Sequence, residues 1–126
     1  MKLYKSSQAN RIVNHIQTDY GVQPEFLWPE KYPSYSIYRH FENRKWFALI
    51  GVVPGTKLGL NTADDLEIIN LKFYKNQALD FAESNPNILP GYHMNKQNWI
   101  TVILNDSLSD EVIFDLINKS YLLSDK

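Results

Sequence analysis

Within this chain of 126 residues, the segment Lys45 to Val53 is apolar at nearly every side chain. Consecutive side chains of an extended strand point to opposite faces of a sheet. The segment therefore places Trp46, Ala48, Ile50 and Val52 on one face, and Phe47, Leu49 and Val53 on the other. A strand that is apolar on both faces must be covered on both, so we expect it to be central in a β-sheet.

Four further strands are predicted from alternating apolar and polar residues. They are residues 35–40, a short strand at Leu58 and Leu60, residues 66–73 and residues 99–104. Residues 85–98 are predicted to be a polar loop, because they carry two prolines and a glycine. Short turns join consecutive strands only in antiparallel pairs, so an antiparallel sheet is expected.

Three helices are predicted to accompany the sheet. The first has apolar residues at helical spacing from Ala9 to Tyr20 and is expected to end at Gly21. A short middle helix is expected over residues 76–82, and the last begins after Ser109, a good N-cap residue. The sequence thus predicts a two-layer α+β fold, an antiparallel sheet of about five strands backed by N-terminal, middle and C-terminal helices.

Composition excludes several classes of protein. The length suits one domain, residues 1–126, and the absence of cysteine excludes disulfides and thiolate metal sites. The N-terminus lacks the apolar segment of a signal peptide, and the longest apolar run is too short to cross a bilayer. We therefore expect a cytoplasmic protein that does not insert into membranes.

The charge balance allows two interpretations. The net charge is −1 and the sequence pI is about 6.3, whereas dedicated nucleic-acid-binding domains are usually strongly basic. Residues 1–63, however, carry eight Lys/Arg and four Asp/Glu, while residues 64–126 carry five and ten. This asymmetry is either ordinary surface variation or a basic face built from the first half of the chain.

One loop concentrates groups that suit an anionic partner. Residues 84–105 contain no Asp or Glu. Five of their side chains offer a cation, an imidazole, an amide or a ring for contacts with phosphates and bases: Tyr92, His93, Asn95, Lys96 and Trp99. The alternative interpretation is a structural loop whose side chains bond to its own backbone and anchor the last strand.

No catalytic or metal-binding constellation is evident in the sequence. His15, His40 and His93 have no second histidine or carboxylate at ligand spacing. Residues 51–57 superficially resemble a phosphate-binding loop, but their spacing is one residue short, so a hairpin turn is predicted. No cofactor and no catalytic residue are assigned.

The sequence Pro90-Gly-Tyr-His-Met-Asn-Lys96, followed by Trp99, resembles the signature of the MmcQ/YjbR family. Asn70-Leu-Lys72 upstream and Ser120-Tyr-x-Leu123 downstream are similar to further motifs of that family. The resemblance is close over residues 65–123. One departure is Phe73-Tyr-Lys-Asn76, where members often carry Cys-Asp-Pro or a similar sequence.

The resemblance implies a fold like that of bacterial frataxin (CyaY-like), in which helices back an antiparallel sheet. It also implies a DNA-binding role for β-hairpins arranged as a double wing. No enzymatic activity and no cofactor follow from it.

Three hypotheses of function remain open at this stage. In the first, the protein is a weak, non-specific DNA-binding protein whose basic hairpins supply Arg39, His40, Arg44, Lys45 and Lys57, with Lys72, His93 and Lys96 on the same side. In the second, it is a non-catalytic module that binds a protein or a small ligand, at an exposed sheet edge or in an aromatic cleft beside the signature loop, with Trp28, Tyr92 and Trp99 as candidates. In the third, His93 is an acid–base catalyst.

Overall fold

The computed structural model of the protein describes residues 3–125 and has three helices and five strands within them. The helices are α1 (Ser7–Tyr20), α2 (Ala78–Glu83) and α3 (Asp110–Ser124). The strands are β1 (Ser36–Arg39), β2 (Trp46–Pro54), β3 (Asp65–Lys72), β4 (Ile88–Pro90) and β5 (Trp99–Ile103). All neighbouring strands are antiparallel, in the order β1-β2-β3-β5-β4, which confirms the predicted α+β fold.

Two helix boundaries, the end of α1 at Gly21 and the start of α3 at Ser109, follow the predicted capping residues, and the structure adds Ser6 as the N-cap of α1. Ser6 Oγ accepts a hydrogen bond from Ala9 N at the start of α1, and the helix ends at Gly21 with φ 66°. Ser109 caps α3 through a bond from Val112 N, as predicted. Capping satisfies amide groups that would otherwise lack partners at the first turn, which explains why local sequence alone located these ends.

Two strand predictions were wrong. Leu58 and Leu60 do not form a strand. Leu58 ends a 3-10 turn, Gly55–Leu58, Leu60 follows that turn, and both leucines pack against one face of the sheet. The strand that completes the five-stranded sheet is instead β4, Ile88–Pro90, which lies inside the segment predicted to be a loop. A proline is tolerated there because β4 lies at the edge of the sheet and bonds to β5 alone.

The long apolar strand β2 lies inside the sheet and is covered on both faces, although β3 occupies the centre. The predicted faces of its first two residues were reversed. The pairing register shifts from Tyr38 with Ala48 to Arg39 with Trp46, which leaves Phe47 as the extra residue of a β-bulge. Phe47 therefore packs with the helices, and Trp46 lies on the opposite face.

The face of the sheet that carries all three helices, here the helix face, holds the larger apolar cluster. Its fully buried members include Ile12 of α1, Ile69 of β3 and Ile117 of α3. Burial of such aliphatic side chains is the main stabilising contribution in a domain of this size.

The other face, here the loop face, is covered by the segment between α1 and β1, residues 24–35, which we call the aromatic loop. Trp28, Tyr32 and Tyr35 of this loop pack on β2 and β3. A Cβ atom at Gly51 would lie 2.6 Å from Cδ1 of Tyr35, so only glycine allows the ring to approach the strand this closely. An unusual interior glycine thus permits an aromatic cover.

Candidate functional site

Strand register brings three distant segments to one end of the sheet. Ala48 of β2 pairs with Leu71 of β3, and Lys72 pairs with Trp99 of β5. The β1–β2 hairpin (residues 40–45), the last residue of β3 and the connection before β5 (residues 91–98, the signature loop) therefore lie at the same end. We call this end of the sheet the basic end, and we use the name for four cations that lie there: Arg44, Lys45, Lys72 and Lys96.

The backbone of the signature loop is fixed by side chains from two strands. Asn70 Nδ2 donates to the Tyr92 carbonyl at 2.9 Å, and Tyr92 N donates to Thr101 Oγ1 at 2.8 Å. Thr101 Oγ1 in turn donates to Asn70 Oδ1 at 2.5 Å. Gly91 lies against Trp99, where a Cβ atom would come within 2.7 Å of the Trp99 Cβ. The loop is therefore rigid where it leaves the sheet.

Two polar candidates of the loop also bond to its own backbone. Asn95 Oδ1 accepts a bond from Gln97 N at 2.9 Å, an arrangement that asparagine commonly makes in turns. Lys96 Nζ donates to the Gly91 carbonyl at 3.0 Å while its side chain stays exposed. Asn95 thus shapes the loop, and Lys96 retains donors for a further partner.

His93 has an uncommon backbone conformation. Its φ is 60°, and Met94 N donates to the Gly91 carbonyl at 3.3 Å, so the residue occupies the third position of a tight turn. That position of a type II turn normally holds glycine or asparagine. The imidazole is exposed and lies 4.0 Å from the Tyr92 ring, measured between ring centroids.

A cleft of about 300 Å³ lies on the loop face between the aromatic loop and the signature loop. We call it the aromatic cleft, and it is lined by Trp28, Tyr32, Tyr35, Trp46, Leu49, His93 and Met94. None of these lining residues is acidic. The predicted candidates Tyr92 and Trp99 lie outside this lining, whereas Trp28, also proposed for an aromatic cleft, is part of it.

The β1–β2 hairpin presents only some of its predicted cations. Arg39 forms a bidentate ion pair with Glu25, at 2.5 and 2.9 Å, and this bond lowers the pKa of Glu25. Arg44 has φ 63°, a side chain that is 56% exposed and a distance of 3.8 Å to Glu25. Lys45 is exposed, and Phe41 at the hairpin tip is 89% exposed.

His40, Ser124 at the end of α3 and its C-cap residue Asp125 are arranged like a serine hydrolase triad, but they hold the end of the helix. His40 Nε2 lies 2.9 Å from Ser124 Oγ, and Nδ1 lies 3.7 Å from Asp125 Oδ1. Ser124 Oγ is buried and donates to the Ser120 carbonyl at 2.7 Å, so no substrate can reach it. Asn43 Nδ2 donates to the Ser124 carbonyl at 3.0 Å. Buried His40 thus ties α3 to the hairpin and is not presented to a phosphate.

Lys57 does not join the other cations. It follows β2 at the strand end opposite the hairpin, and β2 spans nine residues, so roughly 25 Å of strand separates the two connections. Residues 3–125 contain no group of three or more His, Asp or Glu side chains placed to hold a metal ion. Within the same residues, no helix is both long and apolar enough to span a membrane.

The sequence pattern did not identify two walls of the cleft, Tyr32 and Tyr35. Tyr35 was assigned to the start of the predicted strand 35–40, and Tyr32 lies between Pro29 and Pro33, where no periodicity assigns a side chain to a face. The signal that pairs Tyr35 with the sheet is Gly51, an interior glycine in an otherwise apolar strand. Its meaning depends on a contact between residues 16 positions apart, which no local pattern predicts.

These features define a small α+β protein whose antiparallel sheet carries helices on one face and aromatic loops on the other. A family model described as YjbR matches residues 18–123, and the chain belongs to this family. The uncharacterized protein YyaQ of Bacillus subtilis (strain 168) is 40% identical over 113 residues, which cover 90% of this chain and 94% of YyaQ.

Solved structures share the fold. A crystal structure of a Pseudomonas syringae protein is 36% identical, with a TM-score of 0.85 over 95% of this chain and 99% of that one. The crystal structure of Deinococcus radiodurans protein DR2400, with family-model domain DUF419, has a TM-score of 0.58 over 81% of this chain and 67% of that one. Its identity is 22%, so it supports the fold alone.

Proposed function

We propose that the protein binds nucleic acid weakly and without sequence selectivity, through the basic end. The observation that carries this proposal is the meeting of Arg44, Lys72 and Lys96 at one end of the sheet from three separate segments. Arg and Lys side chains bind phosphates whatever the base sequence, which suits a surface without a recognition helix.

The spacing of the cations fits a phosphate backbone. The hairpin and the signature loop are separated by two strand spacings, from β2 through β3 to β5, or roughly 10 Å. That distance corresponds to about three nucleotides along one strand. Lys72 lies between them, at the end of β3.

Backbone conformation also supports the proposal. The non-glycine residues with positive φ among residues 3–125 are Arg44, Asn76, His93 and Asp106. Asn and Asp adopt this conformation routinely, whereas for most other L-residues it costs about 1 kcal/mol or more. Arg44 and His93 both lie in connections at the basic end, and such backbone outliers concentrate at functional sites.

The expected affinity is low because few cations are available and acids lie nearby. Glu25 neutralises Arg39, and Glu42 is exposed in the same hairpin. Four phosphate contacts give a slope of about −3.6 in a plot of log affinity against log salt for duplex DNA, and about −2.8 for a single strand.

Fluorescence anisotropy of a labelled duplex and of a labelled single strand, titrated at several salt concentrations, tests the proposal. The double variant Arg44→Ala/Lys72→Ala is expected to bind more weakly, with a slope that is shallower by about two. The matched control is Lys5→Ala/Lys57→Ala, which loses the same charge at the opposite end of the sheet.

The control is expected to keep the salt slope of the wild-type protein. Equal weakening by both double variants would mean that only net charge matters, and the assignment to the basic end would be lost. Absence of binding at roughly 10⁻⁴ M protein, the weak limit of ordinary non-specific binding, would refute the proposal as a whole.

A further inference from the structure

We infer that the aromatic cleft is a binding site for one planar heteroaromatic ring, the base of a nucleotide or an unpaired base of a single strand. This inference deepens the proposed function and rests on it for the phosphate contacts. It assigns to the protein a preference for single strands over duplex, because a base within a duplex is already stacked and paired.

The size and lining of the cleft match a single ring system. Its volume of about 300 Å³ lies at the lower limit of small-ligand sites, which span about 300 to 1,000 Å³. Four of the lining side chains are Trp or Tyr, and His93 adds a fifth ring. Bases stack on such side chains regardless of base identity.

The walls of the cleft are held in place before any ligand binds. Trp28 contacts Tyr32, Tyr35 and Trp46 edge to face, with centroid distances of 6.5, 6.2 and 5.8 Å. Tyr32 and Tyr35 are stacked at 4.7 Å. Because Gly51 lets Tyr35 lie on β2, these rings rest on the rigid sheet. Preorganised rings lose little conformational entropy when a base enters.

Charge complementarity selects the occupant. The lining has no carboxylate. Alternation along β3 places Lys72 on the loop face with Asn70, which pairs with the lining residue Leu49. A ring that carries phosphate therefore meets a cation beside the cleft, whereas a neutral apolar ligand or peptide makes no use of it.

The conformation of His93 is an independent observation. At this turn position glycine would avoid the cost of positive φ, yet the residue carries an exposed ring that lines the cleft. His93→Gly is therefore a test variant that removes the ring while relieving the backbone. Asn76→Gly is its matched control, since Asn76 also has positive φ and lies outside the lining.

The experiment measures anisotropy with a labelled thymidine oligomer of about twelve nucleotides and with a duplex of equal length. Trp28→Leu is expected to weaken oligomer binding roughly fivefold to a hundredfold, the range for loss of one base–aromatic stack, and to leave duplex binding unchanged. His93→Gly is expected to weaken oligomer binding about fivefold with no loss of thermal stability, and Asn76→Gly is expected to change neither.

Quenching of tryptophan fluorescence distinguishes whether the bound ring comes from a free nucleotide or from a single strand. Saturable quenching by adenosine monophosphate assigns the site to free nucleotides, and quenching by the oligomer alone assigns it to a strand. The inference would be overturned by two results together. Trp28→Leu and His93→Gly, both folded, would bind the oligomer as tightly as the wild-type protein does, and neither adenosine monophosphate nor the oligomer would quench the tryptophan fluorescence. The proposed function would survive that result if Arg44→Ala/Lys72→Ala still weakened duplex binding, and would fail separately if that double variant had no effect.

Discussion

The two faces of the sheet are covered by different kinds of structure. Three helices close the helix face with mainly aliphatic side chains, whereas two loops rich in aromatic rings cover the loop face and leave the aromatic cleft between them. A helix buries a continuous apolar stripe, but a loop buries only those side chains that its turns direct inward. The helix face is therefore built for stability, and the loop face leaves room for a ligand.

The largest expected loss of stability comes from truncating buried isoleucines, and two adjacent residues of β3 allow the two faces to be compared. Ile68 is 1% exposed on the loop face, and Ile69 is fully buried on the helix face. Truncation of buried isoleucine to alanine costs about 2 to 5 kcal/mol, and the cost rises when surrounding groups cannot relax into the cavity. Ile69→Ala is expected near the upper limit and Ile68→Ala near the lower.

Urea unfolding of both variants measures this difference directly. The pair is matched in residue type, strand and burial, so each variant serves as the control for the other. Equal losses of unfolding free energy would show that the loop cover packs as tightly as the helices.

The second prediction concerns alkaline pH, because both faces bury tyrosine: Tyr4 and Tyr38 on the helix face, and Tyr35 on the loop face. Burial raises the pKa of Tyr4 on the helix face to about 12, and burial likewise raises the pKa of Tyr35 on the loop face to about 12. An unfolded tyrosine ionises near pH 10, so the stabilisation is complete below pH 10 and is lost as pH rises from 10 to 12.

For Tyr4 the shift corresponds to roughly 2 to 3 kcal/mol at the end of that range. Unfolding free energies measured from pH 8 to 12 for wild type, Tyr4→Phe and Tyr35→Phe show how much of the loss comes from Tyr4 and how much from Tyr35. Burial also raises the pKa of Tyr38 on the helix face, which contributes to the remainder. Each phenylalanine variant should show a smaller decline than wild type. A parallel decline in all three proteins would mean that neither tyrosine is its source.

The third prediction concerns a substitution that perturbs the loop face alone. In Gly51→Ala the new Cβ atom meets the Tyr35 ring at 2.6 Å, so the ring has to move away from β2. Overpacking of this kind typically costs about 1 to 3 kcal/mol. Thermal unfolding should show the loss, and near-ultraviolet circular dichroism should show a changed aromatic environment, because Tyr35 stacks with Tyr32 and contacts Trp28.

Ala48→Gly on the same strand is a useful comparison, since it alters the backbone at a residue that belongs to the helix-face cluster. It should reduce stability and leave the aromatic signal intact. An aromatic spectrum of Gly51→Ala identical to wild type would show that Tyr35 does not depend on the glycine.

The difference between the faces also explains what the sequence could predict. The helix face could be predicted because Gly21 and Ser109 mark helix ends and because apolar residues recur at helical spacing. Most strands could be predicted from the alternation of apolar and polar residues. The bulge at Phe47 was not, since the extra residue follows from pairing with β1 and leaves no local pattern.

The candidate site could be predicted from the sequence only in part, for the same reason. Arg44, Lys72 and Lys96 were named from residue type, but strand register was needed to place them at one end and to separate Lys57. Burial removed His40 from the exposed set, and the ion pair with Glu25 occupies Arg39. Such long-range pairings depend on the completed fold.

The smallest expected effect on stability concerns the boundary between the two regions, where Glu25 of the aromatic loop pairs with Arg39 of β1. Glu25→Gln removes the carboxylate that holds Arg39 and lies 3.8 Å from Arg44. The two side chains are 22% and 33% exposed, so water still screens the pair, and the unfolding free energy should change less than in Gly51→Ala. If the basic end binds phosphate, the released Arg39 should strengthen binding at low salt and steepen the salt slope by about one. Glu83→Gln, the same charge change on exposed α2, should leave the slope unaltered; a slope unchanged by Glu25→Gln as well would place Arg39 outside the interface.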